Sequence, residues 1–251
     1  MSHNFVVISD LHYSYPDGTT AVSGVSFKIG HGESVALVGA NGAGKSTFLH
    51  LLSALILPHT GTINIGGLTA TKKNLPAIRR RVGTLFSDSD DQLFMPTVAE
   101  DVAFGPHNLG WNNIAEKCIH ALDSVGAEHL ADRPPFRLST GEKRRAALAT
   151  VLVMNPDILV LDEPALGLDP RARKNLITLL AGFEHTKIIA THDLDLAMDL
   201  CERTLIFASG TVTADGRSRE ILSDSALLKK NGLELPLSMR THPMCAEAGD
   251  G

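Results

Sequence analysis

Apolar runs recur along the chain, and what separates them changes character near residue 87. FVVIS (5–9) and VSFKI (25–29) have the β-branched and aromatic content of strands, and YPDG (15–18) between them is a turn signal. ESVALVG (33–39) is apolar without alternation and stops at a glycine-rich loop, as a strand buried on both faces of a parallel sheet does. A helix is predicted from Lys45 to about Leu55, a short edge strand over GTINIGG (61–67), and a buried strand over RVGTLF (81–86). From Ser87 to Asn155 the pattern is mostly helical, with helices over 112–126 and 142–154. DILVLDEP (157–164) and TKIIATHD (186–193) bring strands back, each followed by a helix, over 171–182 and 194–202. RTLIFASGTVTADG (203–216) reads as a closing hairpin, and LPLSMRTHPMCAEAGDG (235–251) loses periodicity and predicts a loose tail. Strands alternating with helices predict an α/β fold around a mostly parallel sheet, interrupted by a helical insertion.

Two segments of this pattern carry chemistry. GANGAGKST (39–47) fits G-x-x-x-x-G-K-[ST] through Gly39, Gly44, Lys45 and Ser46, and it lies between a predicted strand and helix. Such a loop curls so that backbone N–H groups, backed by a helix N-terminus, point at phosphate oxygens. Lys45 is then placed to reach the β- and γ-phosphates and Ser46 to hold Mg²⁺; Asn41, Gly42, Ala43 and Thr47 complete the binding loop. ILVLDEP (158–164) is an apolar strand ending in two carboxylates. Asp162 fits the residue that holds Mg²⁺ beside the serine, and Glu163 fits the base that takes a proton from an attacking water. A glycine turn and a pair of solvated acids are the bland alternatives, and their joint occurrence in the right order argues against both. The 117 residues between Lys45 and Asp162 exceed what two or three βα units need, and the helical insertion accounts for the excess.

LSTGEKRRAALA (138–149) poses a puzzle. Lys143, Arg144 and Arg145 sit in the first turn of the predicted helix, where cations oppose the macrodipole unless something anionic lies in front.

Composition narrows the reading. The chain has 251 residues, 43 % of them hydrophobic, enough for one large domain or a core with a subdomain. A net charge of −5 gives no sign of nucleic-acid binding. Cys118, Cys201 and Cys245 form no CxxC pair, which fits a reducing compartment. The start lacks the pattern of a secretory signal. The most apolar stretch, LHLLSALIL (49–57), falls well short of the ~20 residues that span a bilayer.

Together these motifs resemble the ATP-binding subunit of ABC transporters, over roughly residues 4–220. The resemblance implies a P-loop NTPase core with a mostly parallel sheet, an antiparallel β subdomain and an inserted helical subdomain at about 87–155. The ATP-binding domain would then span 1–220, with 221–251 as a C-terminal extension. Leu138, Ser139, Thr140, Gly141 and Glu142 match the family's signature motif. In a head-to-tail homodimer the uncapped N–H groups of that helix, with Ser139 and Gly141, would meet the γ-phosphate held by the partner's phosphate loop, which answers the puzzle of the first-turn cations. Tyr15 matches the aromatic that stacks on adenine, Asp169 in ALGLDP (165–170) a dimer contact, and His192 the switch histidine on the γ-phosphate.

Two departures from the family pattern stand out. Ser87 occupies the position where a glutamine usually touches Mg²⁺ and water, with Gln92 five residues on. Thr140 and Glu142 replace the usual glycine and glutamine of the signature. Reduced rather than absent activity is expected. YSYPDG, DDQLF, EDVAFGP and LSTGEKRRAALA are most similar to energy-coupling factor ATPases, those of cobalt and nickel uptake in particular. That resemblance implies ATP and Mg²⁺ as cofactors, a transmembrane coupling subunit and a substrate-binding membrane subunit as partners, and a peripheral position on the cytoplasmic face of the membrane. Vitamin import is the nearest alternative. A soluble ABC-type ATPase lacks support, since no coiled coil, zinc insertion or second cassette is present. A P-loop metabolic kinase would have no use for LSTGE or His192. His242, Met244 and Cys245 are read as incidental tail residues rather than a metal site.

Overall fold

A computed structural model describes residues 4–240; His242, Met244 and Cys245 lie outside the described residues. Two sheets form the core. One has four antiparallel strands in the order β2-β1-β4-β5, from β1 (Asn4–Ser14), β2 (Thr20–Gly30), β4 (Thr60–Ile65) and β5 (Leu68–Thr69). The other has the order β10-β9-β3-β8-β7-β6. Its β3 (Ser34–Val38), β6 (Val82–Leu85), β7 (Ile158–Asp162), β8 (Thr186–Ala190) and β9 (Arg203–Ala208) run parallel, and β10 (Thr211–Arg217) pairs antiparallel at one edge.

Both faces of the parallel sheet are covered, which is why its strands read as unbroken apolar runs. Val35 and Leu37 of β3, with Ile158 and Val160 of β7, face the antiparallel sheet and α1 (Lys45–Leu52). Ala36, Val38, Leu159 and Leu161 face the other core. That second core is shared with the insertion, α3 (Val98–Asn108), α4 (Ile114–Ser124) and α5 (Thr140–Leu152), and with α6 (Pro170–Ala181) and α7 (Leu194–Leu200).

The structure departs from the sequence pattern in four places. A short helix, α2 (Leu75–Arg81), precedes β6; it buries only Ile78 and ends in three arginines, so it carries almost no periodic signal. GTINIGG is not an edge: β4 lies between β1 and β5, and the two-residue β5 is the edge. Beyond β10 the chain forms α8 (Ser218–Ser223) and α9 (Ser225–Lys230), which bury Leu222 and Leu228 in the insertion-side core. The first part of the expected loose tail is also placed, since Leu237 N–H and Ser238 N–H donate to the Asp195 carboxylate at 2.9 and 3.2 Å.

The insertion meets the sheet at Gly83 of β6. A Cβ there would stand 2.5 Å from Val151 Cγ1 of α5 and 2.7 Å from Pro156 Cγ. Gly83→Ala should therefore overpack the junction and lower unfolding stability by about 1–3 kcal/mol. Urea denaturation checks this, and an unchanged midpoint would show that α5 is free to shift.

Candidate active site

The phosphate loop is shaped by glycines whose Cβ has no room. At Gly44, φ is 102°, and a Cβ would approach the Ala21 carbonyl oxygen to 2.2 Å; at Gly39 it would approach that of Phe207 equally closely. Gly44 is also the N-cap of α1, which has no side-chain cap and no acid in its first turn. Its open N–H groups and dipole form an anion site. Lys45 is only 8 % exposed, and its Nζ donates to the Gly39 and Ala40 carbonyls at 2.7 and 3.1 Å. Burial pulls its pKa below the usual lysine range, against the opposing pull of Glu163 and Asp162. Tyr15, at the edge of the loop, places its hydroxyl 2.8 Å from Thr47 Oγ1.

The parallel register brings the carboxylates to this loop. β7 ends at Asp162, whose carboxylate lies close enough to the Ser46 side chain to feel it. Burial holds the Asp162 carboxyl above the usual range; the nearby Ser46 hydroxyl opposes this. Glu163 follows with a left-handed φ of 48°, which turns its side chain away from that of Asp162. Its carboxylate meets the end of β8. Thr191 Oγ1 donates to Oε2 at 3.1 Å, the His192 N–H to Oε1 at 3.0 Å, and His192 Nδ1 lies 2.9 Å from Oε2. Thr191 is almost fully buried and was not singled out from sequence, although a lone polar residue before the histidine of TKIIATHD was a signal.

The signature segment differs from the expectation in two respects: its helix is capped, and its first-turn cations find partners within the chain. Ser139 Oγ accepts from the Glu142 N–H at 3.4 Å, and the Glu142 carboxylate accepts from the Ser139 N–H and hydroxyl, both at 2.8 Å. The glutamate that departs from the family pattern makes S-T-G-E a capping box. Among the described residues the Thr140 and Gly141 N–H groups have no hydrogen-bond acceptor, so two donors stay open. The first-turn cations are engaged within the chain: Lys143 with Asp90 at 2.5 Å, Arg144 with backbone carbonyls, and Arg145 with the Gly126 carbonyl at 2.8 Å. The Thr140 methyl packs over Gly167, next to Leu168, which faces Gly141. Leu138 is buried in the insertion-side core.

Asp169 caps α6, accepting from the Ala172 N–H at 2.9 Å. Ser87 is exposed just beyond β6. Gln92 does not stand in for it, because its amide donates to the Ala147 carbonyl and Thr150 Oγ1 at 3.0 and 2.8 Å. It ties its loop to α5.

A phosphate loop at a helix N-terminus, with paired acids at the end of a strand one removed in the same sheet, defines a P-loop nucleotide-binding ATPase. The family description "ABC transporter" matches residues 22–166. A putative ABC transporter ATP-binding protein of Geobacter sulfurreducens is 55 % identical over 98 % of this chain and 99 % of its own length. The energy-coupling factor transporter ATP-binding protein EcfA of Methanothermobacter thermautotrophicus is 43 % identical, covering 92 % and 76 %. Among solved structures, CbiO1 of Clostridium perfringens, described as part of the ABC transporter complex CbiONQ, superposes with a TM-score of 0.79 at 35 % identity over 90 % of this chain and 94 % of that one. The chain belongs to the ATP-binding subunits of ABC transporters, ATPases that couple ATP hydrolysis to transport.

The Thr191 hydroxyl fixes the carboxylate of Glu163 and also accepts from the Asp193 N–H at 3.0 Å. A hydrogen bond to a charged group contributes roughly 1.5–3 kcal/mol, so Thr191→Val should lower kcat for ATP by about tenfold or more. Steady-state ATPase kinetics alongside nucleotide titration checks this. Unchanged turnover would mean that the hydroxyl does not orient the acid.

Proposed function

We propose that this chain is the ATP-hydrolysing subunit of an energy-coupling factor importer. It works as a homodimer on the cytoplasmic face of the membrane and powers uptake of cobalt or nickel ions. The observation that carries the catalytic reading is the convergence of Thr191 and His192 on Glu163, beside the Ser46–Asp162 pair and Lys45. The importer type is supported by the EcfA relative and by CbiO1, a part of CbiONQ. The metal cargo is supported by the resemblance of YSYPDG, DDQLF, EDVAFGP and LSTGEKRRAALA to cobalt and nickel uptake ATPases.

Each group then has a task. Lys45 leaves its loop carbonyls for the β- and γ-phosphates of ATP, and Tyr15 turns its ring to the adenine. The Ser46 hydroxyl and Asp162 carboxylate are hard oxygen donors of the kind that fit Mg²⁺. When bound with ATP, that ion offsets the charge of the phosphates. Glu163 takes a proton from the attacking water, its carboxylate held by Thr191 and the His192 N–H. The imidazole of His192 contacts the γ-phosphate. The open Thr140 and Gly141 N–H groups meet the γ-phosphate on the partner's loop, so two copies supply two complete sites, with Asp169 at the contact between them.

Among the described residues no helix is long and apolar enough to cross a membrane, so coupling requires docking on a transmembrane subunit. Phe94 and Phe104 offer a surface for it on the insertion. They are 62 % and 42 % exposed, with ring centroids 4.9 Å apart, edge to face. The loop bearing Phe94 is held by Asp101, whose carboxylate accepts from the Phe94 and Met95 N–H groups, both at 3.0 Å.

Glu163→Gln should bind Mg·ATP, hydrolyse it about 10²–10⁴-fold more slowly, and accumulate as a dimer in size-exclusion chromatography. A variant that is loaded with ATP yet strictly monomeric would sink the two-site arrangement. For the cargo, Lys45→Ala should abolish uptake of labelled cobalt and nickel in the native cell. Persistence of both would redirect the search to vitamins.

A further inference from the structure

Arg144 is a buried cation outside these assignments. Arg144, in the first turn of α5, is 3 % exposed. Its guanidinium makes no ion pair among the described residues; instead, its donors are spent on backbone. Nε donates to the Pro164 carbonyl at 3.2 Å and Nη2 to that of Asp162 at 2.9 Å and that of Glu163. Nη1 donates to the Ser87 carbonyl at 3.0 Å and to that of Phe86. Arginine has five N–H donors in a fixed plane, and here five carbonyls from two strand exits receive them.

We propose that Arg144 is the positioning residue for Glu163 and the link through which the loop after β6 acts on that acid; the proposal rests on Glu163 being the base, as argued above. The peptide units around Glu163 cannot settle into the strand pattern, because the residue is left-handed at φ 48°. Arg144 takes the carbonyls of 162, 163 and 164 in succession, while Thr191 and the His192 N–H take the side chain. Backbone and carboxylate are thus held by different elements, α5 and the end of β8. The same guanidinium takes the carbonyls of 86 and 87, so the loop carrying Ser87 is joined to Glu163 through main-chain atoms, whatever side chain stands at 87. This explains how a serine serves at that position. It also gives the signature helix a rigid connection to its own chain's acid. Lysine cannot replace this arrangement, since its three donors lie on one nitrogen and cannot span two strand exits.

The test uses the full chain with Arg144→Lys and Arg144→Gln, each alone and combined with Glu163→Gln. Misplacing a catalytic group by about 1 Å costs on the order of 100-fold. Both single variants should therefore lose kcat by about that factor while ATP affinity, read by fluorescent-nucleotide titration, changes by less than about threefold. In the Glu163→Gln background the same substitutions should leave the residual turnover nearly unchanged, because Arg144 acts through the acid. Full additivity of the two losses would overturn the proposal, as would rescue of turnover by lysine. Loss of nucleotide binding in parallel with kcat would do so as well, since it would mark a general structural role. If Glu163→Gln itself retains wild-type turnover, the failure lies with the assignment of the base and not with Arg144.

Discussion

Two carboxylates placed side by side at a strand end that water barely reaches govern this site. Asp162 is buried, and burial alone disfavours its charged form. Glu163 adds a second negative charge next to it. The buried lysine opposite is desolvated too, and the two carboxylates oppose that effect. The fold has few places for such a cluster. The carboxyl edge of a parallel sheet, beside a glycine loop and an open helix N-terminus, is one. Lys45 donates to two carbonyls of its own loop, so the loop is closed on itself.

Geometry follows from charge. Neighbouring side chains on a strand point to opposite faces, yet the site needs one acid on the Ser46 side and the other toward β8. The left-handed turn at Glu163 meets that need by ending β7 abruptly. Such a conformation costs about 1–3 kcal/mol in a non-glycine residue and persists only when its surroundings over-determine it. Here the surroundings are the Ala190 carbonyl on the Glu163 N–H, two donors on its carboxylate, and Arg144 on its peptide carbonyls.

The fold was legible where burial writes a period into the sequence. The parallel strands, the phosphate loop and the main helices stand close to where the apolar runs put them. What escaped were features without a period. The helix α2 buries one side chain, and β4 alternates like an edge strand although β5 covers its outer side. Within the site, Lys45, Asp162, Glu163 and His192 stand together, whereas Ser139, Glu142 and Asp169 are engaged in the caps of their own helices. Thr191 escaped because its role lies in a hydrogen bond to a residue 28 positions away. The capping box at Ser139 was written in S-x-x-E, and the weight given to an open helix end hid it.

At Arg144 the helix dipole is outweighed by contacts to backbone carbonyls. Judged by sequence neighbours, three cations in a first turn are misplaced and call for an external anion. In the structure the dipole at that position is the lesser field. The strand exits after β6 and β7 present carbonyl oxygens to α5, of which that of Glu163 also accepts from the Leu166 N–H at 3.1 Å, and unsatisfied buried carbonyls are costly. A guanidinium answers five of them at once, which a phosphate across an interface would not do. The residues that hold the acid in place are therefore distributed between the insertion and the core. Any motion of α5 relative to β7 acts on Glu163 directly, and a chain with a serine at position 87 keeps that connection because it runs through backbone.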